Sequence, residues 1–216
     1  MLELARRMWS DAHETVEETR NICASLLKQI QDMAKQGTFQ RHFTTTLLGK
    51  ILDAAIDGTN ADMGNIQLLN HSKGHLSVHV QRGFDEPFLE FFDSVQVGQA
   101  PCGTALKAGH RVIVPDVSNS PIFSSSDCLE VLLDAGVPAV QSTPLIGKSG
   151  QIWGTLSTHY RTVYRPSKKE LRLLDYLAEW AAEILEAEYY AAHPGCDIPI
   201  PTDKSLVADL APQKPE

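Results

Sequence analysis

The chain has 216 residues, 43% of them hydrophobic, which suits one domain with a filled core and loose or helical ends. Nineteen Lys and Arg against 27 Asp and Glu give a net charge of −8. The cations are scattered and form no basic stripe, which excludes duplex nucleic acid as a natural partner. No apolar run approaches the roughly 18 residues of a membrane span, and no apolar stretch follows the charged residues 1–7. A membrane is therefore excluded as a partner, and the cytoplasm is the expected location.

Residues 2–36 predict one long polar helix. Trp9, Ala12, Val16, Thr19, Cys23, Leu26, Ile30 and Met33 recur at alternating spacings of three and four. Such a narrow heptad seam suits a helix–helix dimer contact better than packing on its own domain. Gly37 ends this segment, so 1–37 is set apart as a coiled-coil-type helix. A second helix is predicted over 44–56, with Leu47, Leu48, Ile51, Leu52 and Ala55 on one side and Gly58 closing it. The period then changes to two: 63–69 and 76–81 predict strands joined by the turn 71–74, a hairpin. Phe84, Phe88, Leu89, Phe91 and Phe92 predict a short aromatic helix. Another helical turn starts at Cys102 and stops at Gly109, and 111–114 is a short apolar strand.

Residues 116–126 form a loop rich in Ser, Asn and Pro, followed by a helix over 127–135 that Gly136 ends. Ala139–Ile146 and Ile152–Tyr160 predict a second hairpin about the turn Lys148-Ser149-Gly150. The last helix starts after Pro166, with Ser167 as N-cap and Glu170 completing a capping box, and runs to about residue 190. Leu173, Leu177, Trp180 and Ile184 share a stripe on it. From Pro194 onward, prolines and charges with few large apolar residues predict a disordered tail, assigned to 191–216. The order predicts an α+β domain over 38–190: an antiparallel sheet of five or six strands covered by helices.

Assembled in this order, the strings "ADMGNIQLLN", "QRGF", "CGTAL", "RVIVPDVSNSPIF", "AGVPAVQSTPLIGKSGQIWGTLSTHY" and "KELRLLDYLAEWAAEIL" resemble successive segments of bacterial GAF domains. The resemblance covers about residues 40–190 and points to the GAF units found with histidine kinases. It implies a PAS-like, six-stranded antiparallel sheet with helices on both faces, and a small-molecule pocket on one of them. It also implies long N- and C-terminal helices that pack on the other face and often mediate dimerisation. The chain is expected to act as a sensor or regulator in signal transduction, with a homodimer partner, a small-molecule ligand and a signalling protein such as a histidine kinase.

The candidate pocket follows from strand alternation. Asn65 and Gln67 share one face of their strand. Gln141 and Thr143 share a face of the next hairpin's first strand. On its second strand Ser157 and His159 share one face and Thr158 takes the other. In a sheet covered on both sides each of these side chains needs a partner, since an unpaired buried amide costs roughly 1–3 kcal/mol. A ligand or ordered water supplies one; alternatively the amides tie down loops. Phe84, Phe88, Phe92, Ile122 and Phe123 suit an apolar wall and equally an ordinary core. Cys102 and Cys128 complete the candidate set. The expected dimer interface is Val16, Cys23, Leu26, Ile30, Met33, Leu177, Trp180 and Ile184.

No catalytic residue is expected. Cys102 opens a helix, where peptide dipoles lower a thiol pKa. Free methionine-(R)-sulfoxide reductases, which share this fold, also place a Cys before Gly-Thr-Ala. Their upstream cysteines are missing here from 95–101, and turnover needs a resolving thiol. Cys128 falls where bilin-binding relatives attach their chromophore, but Leu129 follows it where those proteins carry His. Cys23, Cys102, Cys128 and Cys196 form no CxxC pair and have no His at ligand spacing, so no metal site is expected. No motif selects a cofactor. The alternatives to a sensor are a reductase of this thiol type and a ligand-free dimerisation scaffold.

Overall fold

The structure, a computed structural model, describes residues 41–123 and 127–193. The predicted 1–37 helix, with Val16, Cys23, Leu26, Ile30 and Met33, lies outside the described residues, as does the tail from 194. The elements run α1 (Arg41–Thr59), β1 (Met63–Asn70), β2 (His75–Arg82), α2 (Glu86–Phe92), β3 (Val95–Gln96), α3 (Ala100–Ala108), β4 (Val112–Val114), α4 (Cys128–Asp134), β5 (Ala139–Ile146), β6 (Ile152–Tyr160) and α5 (Lys168–Ala192). Two short 3-10 turns, Val117–Asn119 and Pro121–Phe123, occupy the predicted loop.

The strands form one sheet in the order β3-β2-β1-β6-β5-β4, with every pairing antiparallel. Its middle is β1 and β6, whose side chains are buried over most of their length. Alternation divides the core in two. Ile66, Val80, Leu145, Trp153 and Leu156 pack against α1 and α5. Met63, Leu76 and Val140 pack on the other face with the aromatic and aliphatic side chains of α2, α3 and α4. β2 serves both faces because a bulge at His79 shifts its register: Ile66 pairs with Val80 and Gln67 with Val78.

The helix termini follow local chemistry. Ser167 Oγ accepts from the Glu170 amide, and the Glu170 carboxylate accepts from the Ser167 amide at 2.7 Å, closing the capping box. Gly58, expected to end α1, lies within it; the left-handed residue that closes the helix is Asn60, at φ 49. Gly58 is where α1 meets α5: a Cβ there would stand 2.2 Å from Leu173 Cδ2.

That antiparallel helix pair corrects the predicted interface. Leu177 and Ile184 are 0% and 1% exposed and belong to the chain's own core. The apolar stripe of α5 is spent on α1 and the sheet, so neither side chain faces a partner. Trp180 is half-buried at the edge of that core, and Tyr176 and Tyr190 on the same helix are exposed.

The far end of α5 is tied to the β5–β6 turn by Glu186. Its carboxylate accepts from the Lys148 amide at 3.1 Å, the Ser149 amide at 3.3 Å and the Ser149 hydroxyl. Gly147 leaves the room, since a Cβ there would lie 2.6 Å from Glu186 Oε1. Hydrogen bonds to a charged acceptor are worth more than neutral ones. Glu186→Ala is expected to cost about 2 kcal/mol and to accelerate hydrogen exchange at the Lys148 and Ser149 amides; unchanged exchange there would refute the anchor.

Candidate functional site

The floor of the site is the sheet face beneath α2, α3 and α4. The register aligns Asn65 with Ser157, Met63 with His159, and Ser142 with Ser157. Asn65, Gln67, Ser157 and His159 therefore share one face: spacing predicts each pair, register joins the two, and β5 contributes Ser142. These side chains border a cavity of about 10 Å³, with Phe88, Phe92, Pro101, Cys102, Leu132 and Val140 making its other walls. That space matches roughly one water molecule.

Three of the floor's polar side chains are paired. The Ser142 and Ser157 hydroxyls bond at 2.7 Å, and Gln67 Nε2 donates to the Phe92 carbonyl at 3.1 Å, fixing the end of α2 to the sheet. Others are not. Asn65 Oδ1, His159 Nδ1 and Thr155 Oγ1 are buried and have no hydrogen-bond partner among the described residues. Asn65 and His159 are 2% and 4% exposed.

The roof is aromatic. Phe84, Phe88 and Phe92 follow one another at four-residue spacing and stack, with centroids 3.8 and 4.3 Å apart. Phe84 and Phe88 meet the His159 ring edge-on at 4.9 and 5.9 Å. Phe84 thus supports the site through Phe88 and His159 without lining the cavity. Burial holds His159 neutral, its pKa depressed to about 3.

Gln141 and Thr143 require a correction, for they lie on the opposite face from the cavity. Gln141 pairs with Thr158 rather than with Ser157, so β5 places Ser142 over the floor and turns its two neighbours towards α5. There Gln141 donates to Thr158 at 3.1 Å, Thr143 donates to Gln141 at 2.9 Å, and Thr158 meets the Tyr160 hydroxyl at 3.1 Å. Arg111 joins this network to the start of α5: Nε donates to Thr143 at 2.8 Å, and one terminal nitrogen donates to the Leu171 carbonyl at 2.9 Å and to Asp175 at 2.6 Å.

Cys102 lines the cavity; Cys128 is buried nearby without bordering it. Burial raises both thiols to about 12, with the proximity of Cys102 adding to the rise at Cys128. The helix start at Cys102 is outweighed by desolvation, and neither cysteine is a thiolate at neutral pH. Among the described residues no cluster of three His, Cys, Asp or Glu could hold a metal ion. Nor is any described helix long and apolar enough to cross a membrane. Sequence reasoning missed Ser142, Leu132, Val140 and Pro101 as lining residues. Only inter-strand register distinguishes Ser142 from Gln141.

A family model described as GAF domain matches residues 42–186. A methyl sulfide methyltransferase-associated sensor of Methanosarcina acetivorans is 30% identical over 96 residues, which is 43% of this chain and 9% of that protein. The chain thus spans under a tenth of this curated relative. Among solved structures, the GAF domain of an Acinetobacter phosphoenolpyruvate-protein phosphotransferase superposes with a TM-score of 0.58 at 13% identity, covering 79% of this chain and 97% of that one. Free methionine-R-sulfoxide reductase of Neisseria meningitidis superposes with a TM-score of 0.56 at 18% identity, covering 78% of this chain and 91% of that one. At these identities the two structures share the fold.

Proposed function

The chain belongs to the GAF domain family, and from that premise we propose that it is a binding module for a small molecule, without catalysis of its own. The observation that carries this reading is the pair of orphaned polar atoms, Asn65 Oδ1 and His159 Nδ1, on a buried floor beneath an aromatic roof. Each costs about 1–3 kcal/mol when left unpaired. Thr44 Oγ1, Trp153 Nε1 and Thr155 Oγ1 are orphaned away from the cavity, whereas these two border it. A ligand that pairs with them recovers that energy. The likeness to a named sensor supports a signalling role. Among the described residues nothing extends the likeness to a reductase to its chemistry, because Cys102 and Cys128 are both buried and protonated.

The route outward runs through the strands. β5 and β6 present Ser142, Ser157 and His159 to the cavity and Gln141, Thr143 and Thr158 to the opposite face, where Arg111 clasps the start of α5. A ligand that displaces these strands biases the position of α5, provided it binds the two arrangements with different affinity. In this reading the chain works as a homodimer through its terminal helices, in the cytoplasm of a bacterium, and signals to a partner such as a histidine kinase.

The small cavity favours a second reading, a scaffold whose own side chains fill the site. Native mass spectrometry of the purified protein decides between them. The binding module is expected to carry an added mass that is lost on mild denaturation. A bare protein, with no thermal shift against a metabolite panel, would establish the scaffold.

A further inference from the structure

We propose that the cavity selects an uncharged ligand with N–H or O–H donors along one edge and an apolar face opposite, and rejects carboxylates, phosphates and ammonium groups. This rests on the cavity being a binding site, and it names the chemistry that site accepts. None of the eleven lining residues carries a formal charge. Neither nearby arginine lines the cavity: Arg111 is committed on the other side of the sheet to Thr143, Leu171 and Asp175, and Arg161, on the cavity side, meets Met63 Sδ at 3.9 Å. A charged group moved into such surroundings gains no counter-ion and loses its water, which disfavours its entry.

The hydrogen-bonding demand has a direction. Asn65 Oδ1 can only accept, and it has no donor; His159 Nδ1 also has no partner. Gln67 cannot turn to serve them without giving up the Phe92 carbonyl, and the two serines bond to one another, the hydroxyl proton left over not reaching Asn65 Oδ1. The donor must therefore come from outside the protein: one water fits the present cavity, and a ligand that takes its place must bring the donor itself. Opposite these atoms stand Phe88, Phe92, Leu132 and Val140, which offer contact area and nothing polar. A flat amide or nitrogen heterocycle, with donors on one edge and a ring beyond, meets both walls. It is larger than the present cavity, so it must displace α2. That helix is seven residues long and is tied to the floor by its phenylalanine stack and the single Gln67 bond.

Isosteric probes test the rule on the full chain. Benzamide at millimolar concentration is expected to raise the melting temperature and to shift the Asn65, Ser157 and His159 amide resonances, whereas benzoate and benzylamine leave them in place. Asn65→Leu, with its fold checked by circular dichroism, should weaken benzamide about tenfold or more. If it does not fold, Ser142→Thr, which crowds the same cavity, should weaken benzamide likewise. Benzoate or benzylamine binding as tightly as benzamide would overturn the proposal, and so would silence from all three. A charged metabolite found on the purified protein would overturn this inference and leave the binding module standing; a bare protein silent to every probe would overturn both.

Discussion

Acidification from pH 7 to pH 4 is expected to remove about 3 kcal/mol of folding stability through His159 alone. The group titrates near 6.5 in the unfolded chain and near 3 in the fold, because burial among Phe84, Phe88 and the sheet floor disfavours the imidazolium. The fold thus prefers the neutral ring. Its contribution is complete above about pH 6.5 and is lost as the pH falls, by roughly 1.4 kcal/mol per unit, until the native ring itself takes up a proton near pH 3. His71 and His79 are also depressed by desolvation and act in the same direction, but both are exposed and solvent screens them. Urea unfolding of the wild type and of His159→Gln at both pH values isolates the effect, since all other groups cancel. The variant should lose about 3 kcal/mol less than the wild type between the two pH values; parallel losses would show that His159 is not buried as described.

The same residue marks how far the sequence can be read. Alternation within β1 puts Asn65 and Gln67 together, and alternation within β6 puts Ser157 and His159 together, because the side-chain period of a strand is fixed by its backbone. Both pairs stand on one face in the structure. Alternation within β5 equally puts Gln141 with Thr143, but which face they take depends on pairing with β6, a long-range register that no local pattern carries. The strand that brings Ser142 over the floor turns the two predicted residues away. Helices were legible from caps and periodicity: Ser167 and Glu170 place the start of α5, and the leucines of α1 give its buried side. β3, two residues long, offers too little pattern to read. The state of Cys102 was not legible either, since a helix start and a buried wall push its thiol in opposite directions and only burial decides.

Leu177→Ala and Ile184→Ala are each expected to cost about 2–5 kcal/mol, the penalty for a cavity in a packed core, while Tyr176→Ala changes stability by less than about 0.5 kcal/mol. The contrast separates two stripes that sequence periodicity merges. Leu177 and Ile184 lie with Leu174, Ala178, Ala181 and Leu185 against α1 and the sheet, at 0% to 7% exposure. One step round the helix, Tyr176, Trp180, Ala187 and Tyr190 recur at spacings of four, seven and three, which is the period of a coiled-coil seam. Tyr176 is 54% exposed and Tyr190 37%. A dimer built on α5 must use this second stripe. Tyr176→Asp combined with Tyr190→Asp should therefore shift the mass in light scattering towards the monomer without altering the melting temperature of the domain. Leu177→Ala should do the reverse, lowering the melting temperature of whatever assembly exists. If Leu177→Ala dissociated a dimer and left the melting temperature unchanged, the burial of that side chain within its own chain would be refuted, and the heptad-like stripe inferred from Leu177 and Ile184 would be reinstated as the contact.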